Sequence, residues 1–155
     1  MRAVVQRVTH AQVSVDGEVT GAIGRGLCVL LGAGPDDDER TARRLAERVA
    51  TLRIHADAEG RMNRDLQAVD GEVLVVSQFT LYADSSRGHR PSFVRAGPPE
   101  LAERLCEVFC AALRERGLRV ATGRFAAHML VALENDGPVT VVLSSGEEPW
   151  AADAG

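Results

Sequence analysis

Two short polar stretches, far apart in the chain, hold the residues best suited to chemistry. The first, Ser77-Gln78-Phe79-Thr80-Leu81-Tyr82-Ala83-Asp84, follows the apolar run Val73-Leu74-Val75-Val76. The second, Asn135-Asp136-Gly137-Pro138-Val139-Thr140, lies between Leu130-Val131-Ala132-Leu133 and Val141-Val142-Leu143. Hydroxyls, amides and a Gly-Pro bond at the ends of buried strands are where an α/β protein tends to set a site. Ser77, Gln78 and Thr80 can both donate and accept hydrogen bonds. Backbone N–H groups at a strand end, if unpaired by the ladder, can stabilise an oxyanion. Thr80 is a nucleophile or a positioner. No base stands near it in sequence, and a threonine hydroxyl is weak until its proton is removed, which favours positioning. Gly137-Pro138 also reads two ways. Asn-Asp-Gly-Pro is turn chemistry and predicts a bend between two strands. A cis bond would instead present two backbone carbonyls to a substrate ammonium group. X-Pro bonds are cis in only about 5–6% of cases, so the turn leads on sequence alone.

The elements that must position these stretches follow from patterning. Residues 2–8 alternate weakly and predict a strand, while residues 11–15 and 18–23 flank Asp16-Gly17, a hairpin turn. Leu27-Cys28-Val29-Leu30-Leu31 is a continuous apolar run and predicts a buried central strand. Asp36-Asp37-Asp38-Glu39 predicts a helix start, because acids near the first turn cap free N–H groups. Ala42, Leu45, Ala46, Val49 and Leu52 then recur at helical spacing. Asp57 to Gly60 is a turn, and residues 72–76 form a second apolar strand leading into the first polar stretch. Pro98-Pro99 opens a second helix with the stripe Leu101, Leu105, Val108, Phe109, Ala112 and Leu113, stopped by Gly117. Residues 118–122, 129–133 and 139–143 predict strands. The count is eight or nine strands with two main helices, an α/β fold with a sheet or barrel-like β core. No linker or repeat divides it, so residues 1–143 form one domain. Residues 144–155 are small, acidic and poor in apolar side chains, and predict a flexible tail in which Trp150 is the one anchor.

Composition narrows the chemistry. The 155 residues suit one core, and the formal net charge of −4 is wrong for a protein that coats nucleic acid. All 18 basic residues are arginine, so neither a Schiff-base lysine nor a phosphate-loop lysine exists. Local charge differs from the total: Arg87, His89, Arg90 and Arg95 fall between Ser85 and Pro99 with no acid. That stretch can hold phosphates at the end of an RNA, or it is a solvated loop. Three cysteines argue against a disulfide framework, and Cys106 and Cys110 read as core residues on one helix face. His10, His55, His89 and His128 lack zinc-site spacing, so no metal or cofactor is expected. No apolar run is long enough to span a bilayer, and the first residues lack a signal peptide's pattern, which predicts a cytoplasmic protein.

Over nearly its whole length the sequence resembles the D-aminoacyl-tRNA deacylases. The matching pieces are Gln6-Arg7-Val8, Gly26-Leu27, Asp57-Ala58-Glu59-Gly60 with Met62-Asn63, Val76 to Leu81, Arg90-Pro91-Ser92-Phe93, Thr122-Gly123-Arg124-Phe125 and Asn135 to Thr140. The resemblance implies a mixed, largely antiparallel sheet with two helices. It implies hydrolysis of the ester joining a D-amino acid, or mischarged glycine, to the 3′ end of tRNA. It further implies a homodimer with the site at the subunit interface, and a cis Gly137-Pro138 bond that enters the partner's pocket and rejects L-amino acids. Ser77, Gln78, Phe79 and Thr80 would surround the scissile ester, Arg7 would brace the Gly-Pro loop, and Met129 would line the adenosine pocket. The chemistry would then lean on the terminal 2′-hydroxyl of the RNA, with Thr80 as nucleophile the second choice. His128 stands where the family often has an acid, and Arg61 replaces a common lysine.

Overall fold

The computed structural model describes residues 1–146. In chain order the elements are β1 (Arg2–Val15), β2 (Glu18–Ile23), β3 (Gly26–Gly32), α1 (Glu39–Ala50), β4 (His55–Ala56), β5 (Met62–Arg64), β6 (Glu72–Ser77), α2 (Pro99–Glu115), β7 (Arg119–Thr122) and β8 (Leu130–Ser144). Short 3-10 turns occupy Gln67–Val69 and Phe79–Tyr82. The main sheet runs β2-β1-β3-β6-β7, with β8 on the other edge of β1. β3, β6 and β7 are parallel neighbours, and every other pairing is antiparallel.

β1 is long enough to serve three partners. Its first half pairs with β3, its second half with β2, and β8 follows nearly its full length. The sheet curls until β2 meets β7, which gives a nearly closed barrel. Gly21 permits that approach: a Cβ there would lie 2.4 Å from the Thr122 carbonyl oxygen.

The apolar runs of β3 and β6 are continuous because both faces of the sheet are covered. Leu27, Val29, Val73 and Val75 face α1 and α2, where Leu45, Val49, Leu105 and Phe109 fill the core. Cys28, Leu74 and Val76 point the other way, onto Val8, Val13 and Ile23 inside the curl. Asp38 caps α1 by accepting from the Thr41 N–H at 2.7 Å. Pro99 opens α2 and Gly117, with φ 82°, lies just past its end.

Three expectations are corrected. β1 is one strand where two were expected, since β8 keeps pairing with it past the polar Thr9-His10 step. β8 is likewise continuous: its turn-like residues bulge outward and the ladder resumes beyond them. Leu52 falls after α1, which ends at Ala50. Of the tail expected at 144–155, Ser144 closes β8 and the Ser145 N–H donates to the Met1 carbonyl at 2.9 Å. Residues 147–155, Trp150 among them, lie outside the described residues.

Candidate active site

The first polar stretch emerges where β6 leaves the sheet. Ser77 is the last residue paired to β3, opposite Leu31, and the Gln78 N–H still donates to the Leu31 carbonyl at 2.8 Å. Gly32 lets β3 run this close, since a Cβ would sit 2.7 Å from the Gln78 carbonyl oxygen. The chain then tightens into the 3-10 turn Phe79–Tyr82. The Phe79 and Thr80 amides stand at the start of that turn, where no carbonyl of the turn precedes them. Arg2 pins the far end: its guanidinium donates to the Leu81 carbonyl at 2.9 Å and lies 4.5 Å from the Tyr82 ring centre. The Tyr82 hydroxyl donates to Asp37 at 3.3 Å.

A cavity of about 520 Å³ opens beside this turn. Ser77, Gln78 and Phe79 form one wall, Phe125 to Met129 another, and Cys106 of α2 a third. Gly123 makes room for Met129, whose sulfur would be 2.5 Å from a Cβ at that position. Thr80 is exposed and is not among the lining residues. Its hydroxyl accepts from the side-chain amide of Gln78. Neither end of an amide takes a proton at neutral pH, so this contact orients Thr80 and does not activate it. Cys106 is no better as a nucleophile: its hydrogen bond to Cys110, together with burial, holds its thiol well above the usual range. Among the described residues, no three His, Cys, Asp or Glu side chains are grouped to hold a metal ion.

The second stretch forms a separate structure. Gln6 pairs with Thr140 and Val8 with Asn135, so Arg7 alone faces the four residues 136–139. Those four loop out of β8, and the Gly137-Pro138 bond within them is cis. Asn135 closes the loop, accepting from the Val139 N–H at 3.0 Å and donating to Thr140 Oγ1 at 3.0 Å. Arg7 Nε donates to the Asp136 carbonyl at 3.1 Å and lies 3.2 Å from its carboxylate. Arg7 Nη1 donates to the Ile54 carbonyl at 2.7 Å, which ties the loop to the segment before β4. Gly137 has φ 131°, and a Cβ there would meet Val139 Cγ2 at 2.7 Å, so glycine is required on both counts.

Buried His55 sits beneath this arrangement, and its Nε2 has no hydrogen-bond partner among the described residues. Burial, with the Arg25 and Arg7 charges against the opposing pull of Asp136 and Asp65, lowers its pKa to about 4. The ring is neutral at physiological pH.

Ser77, Gln78, Phe79 and Met129 therefore share one cavity, while Arg7, Gly137 and Pro138 share the bulged loop. Neither Gly137 nor Pro138 lines the cavity, and both are exposed. His128 lines the cavity beside Met129, while Phe125 and Ala127 were not expected as lining residues. The Gly123-Arg124-Phe125 step was their only signal, a glycine before an aromatic ring at a strand end.

A family model described as D-Tyr-tRNA(Tyr) deacylase matches residues 4–144. The D-aminoacyl-tRNA deacylase of Roseiflexus sp. (strain RS-1) is 62% identical over 145 residues, covering 94% of each chain. The D-aminoacyl-tRNA deacylase of Thermotoga petrophila is 54% identical over 147 residues, covering 95% of this chain and 99% of that protein. Among solved structures, the c-Myc DNA Unwinding Element Binding Protein superposes with a TM-score of 0.88 at 41% identity, covering 94% of this chain and 99% of that one.

Proposed function

The chain belongs to the D-Tyr-tRNA(Tyr) deacylase family, and on that premise we propose how its two motifs divide the work of hydrolysing D-aminoacyl-tRNA. The enzyme is a carboxylic ester hydrolase. Water adds to the ester carbonyl, the bond to the ribose 3′-oxygen breaks, and free D-amino acid and tRNA leave. The cavity at the end of β6 takes the terminal adenosine, with Met129 against the nucleoside and Gln78 and Phe79 at the ester. Backbone N–H groups at the start of the 3-10 turn steady the developing oxyanion. The terminal 2′-hydroxyl of the RNA moves the proton, because among the described residues the side chain bonded to the Thr80 hydroxyl is an amide, which cannot. Residues 1–143 act as the single deacylase domain, in the cytoplasm, where aminoacyl-tRNA is made.

The observation that carries this division is the separation of the motifs. An exposed, well-braced Gly137-Pro138 loop outside its own cavity fits a device that works in a second copy. In that homodimer the two carbonyls of the partner's loop receive the substrate ammonium. They leave no room for an L side chain, while a D side chain points outward. Glycine has no side chain to exclude and is cleaved as well. The exposed apolar side chains of Leu130 and Val142 on β8 support a contact between copies.

The deciding experiment compares D-tyrosyl-tRNA, L-tyrosyl-tRNA and glycyl-tRNA as substrates. Release from the D and glycyl forms alone is the expected result. Release from none marks a nucleic-acid-binding protein without catalysis. Release from all three marks an esterase without a chiral filter.

A further inference from the structure

Two aromatic side chains meet at an exposed spot at the rim of the cavity, and Val94 follows them in sequence. Phe79 is 56% exposed, Phe93 37% and Val94 89%. The rings of Phe79 and Phe93 meet edge to face, with centres 5.1 Å apart and planes at 71°. Phe79 lines the cavity and Phe93 does not. The pair is therefore a step, with one ring at the inside wall and the next outside it.

The segment that carries Phe93 is anchored at several points. Asp84 and Ser92 exchange two backbone hydrogen bonds of 2.8 Å. The Ala96 N–H donates to the Phe93 carbonyl at 3.0 Å, and the Gly97 N–H to the Ala33 carbonyl at 2.8 Å. Gly97 admits no side chain, since a Cβ would fall 2.8 Å from the Gly34 carbonyl oxygen. Ala96 and Gly97 themselves line the cavity, so Phe93 is held three residues from its edge. Around it, residues 85–99 carry Arg87, His89, Arg90 and Arg95 without an acid. A fixed, half-exposed aromatic ring in a cationic segment is the chemistry of single-stranded nucleic acid binding. Every base has a π-face, and the arginines answer the phosphates.

We propose that Phe93 is a substrate-binding residue that stacks the base of the nucleotide preceding the terminal adenosine, outside the cavity. The inference rests on the deacylase reading and extends it by one nucleotide. When the terminal nucleoside occupies the cavity past Phe79, the chain behind it must leave over the rim, and Phe93 is the next aromatic surface. Stacking there is indifferent to base identity and to the amino acid. It contributes to substrate binding and not to the chemical step, so it moves KM and leaves kcat.

The test uses the full-length enzyme with two substrates, D-tyrosyl-tRNA and D-tyrosyl-adenosine, the second lacking any preceding nucleotide. For Phe93→Ala the KM for D-tyrosyl-tRNA is expected to rise about tenfold, in line with loss of one stacked base. The KM for D-tyrosyl-adenosine is expected to rise far less. Phe93→Trp restores the tRNA KM and Phe93→Leu does not. Four results overturn the proposal. These are an unchanged tRNA KM in Phe93→Ala, equal losses on both substrates, full rescue by leucine, and a loss of oligomer size in light scattering, which would give the ring to a protein interface. A wild-type enzyme that cleaves neither substrate overturns the deacylase reading itself. An active wild type with an unaffected Phe93→Ala overturns only the stacking site.

Discussion

Thr80 shows how one contact decides a role. Its hydroxyl oxygen accepts from the Gln78 amide, and among the described residues no carboxylate, imidazole or amine is bonded to it. A nucleophile without a base stays protonated. Thr80→Val is therefore expected to lower kcat by less than about tenfold, whereas removing a true nucleophile costs on the order of a million-fold. Single-turnover hydrolysis of D-tyrosyl-tRNA separates the two outcomes. His55 makes a different kind of residue-scale claim. Its ring titrates near 4 in the folded chain, against about 6.5 when unfolded. Between those values the unfolded chain binds a proton that the folded chain refuses. The stabilising contribution is thus complete above pH 6.5 and falls as pH drops toward 4. The whole effect is worth roughly 3 kcal/mol. His55→Phe removes both the titration and the unpartnered Nε2, so its melting temperature should decline less than the wild type's from pH 6.5 to pH 4. Parallel curves would assign the acid sensitivity elsewhere.

At the scale of elements, the join between β2 and β7 depends on Gly21. A side chain there meets the Thr122 backbone, which has nowhere to retreat while β7 stays paired to β6. Gly21→Val is expected to destabilise the fold by about 1–3 kcal/mol, the usual range for overpacking. Urea unfolding followed by far-UV circular dichroism measures it, and an unchanged midpoint would mean that the strands separate freely. This join is also where sequence reading stops. The runs of β3 and β6 and the stripes of α1 and α2 declare themselves in windows of a few residues, because burial on both faces or on one helical stripe leaves a local pattern. Closure leaves none, since nothing near Gly21 points to Thr122. The same limit hid the continuity of β8. Asn135-Asp136-Gly137-Pro138 has turn composition, and only pairing with β1 keeps the strand going past it. Arg7 and Asp136 are 129 residues apart, so the geometry of their contact could not be read locally. The stretch Ser77 to Phe79, which lines the cavity, was legible because it is polar and directly ends an apolar strand. Phe93 and Phe125 were not, because each becomes part of the rim or wall only when the segments around it fold back.

The whole molecule raises the question of which chain's loop guards which cavity. Gly137→Ala offers a handle: at φ 131° and with Val139 Cγ2 2.7 Å from the new Cβ, the loop must shift. A shifted loop is expected to admit L-tyrosyl-tRNA. An Ala127→Trp chain, in contrast, has an intact loop and a cavity filled by its own indole ring, since Ala127 lines that cavity. When the Gly137→Ala protein is refolded with a large excess of the Ala127→Trp protein, nearly every loop-altered chain pairs with a chain whose loop is sound. If the loop acts across the interface, each working cavity is then guarded by an intact loop. L-tyrosyl-tRNA cleavage should fall toward background, while D-tyrosyl-tRNA cleavage persists at one cavity per loop-altered chain. If the loop acts on its own cavity, mixing changes neither rate. The two rates are read from the same refolded sample, so incomplete refolding scales both and leaves their ratio as the answer.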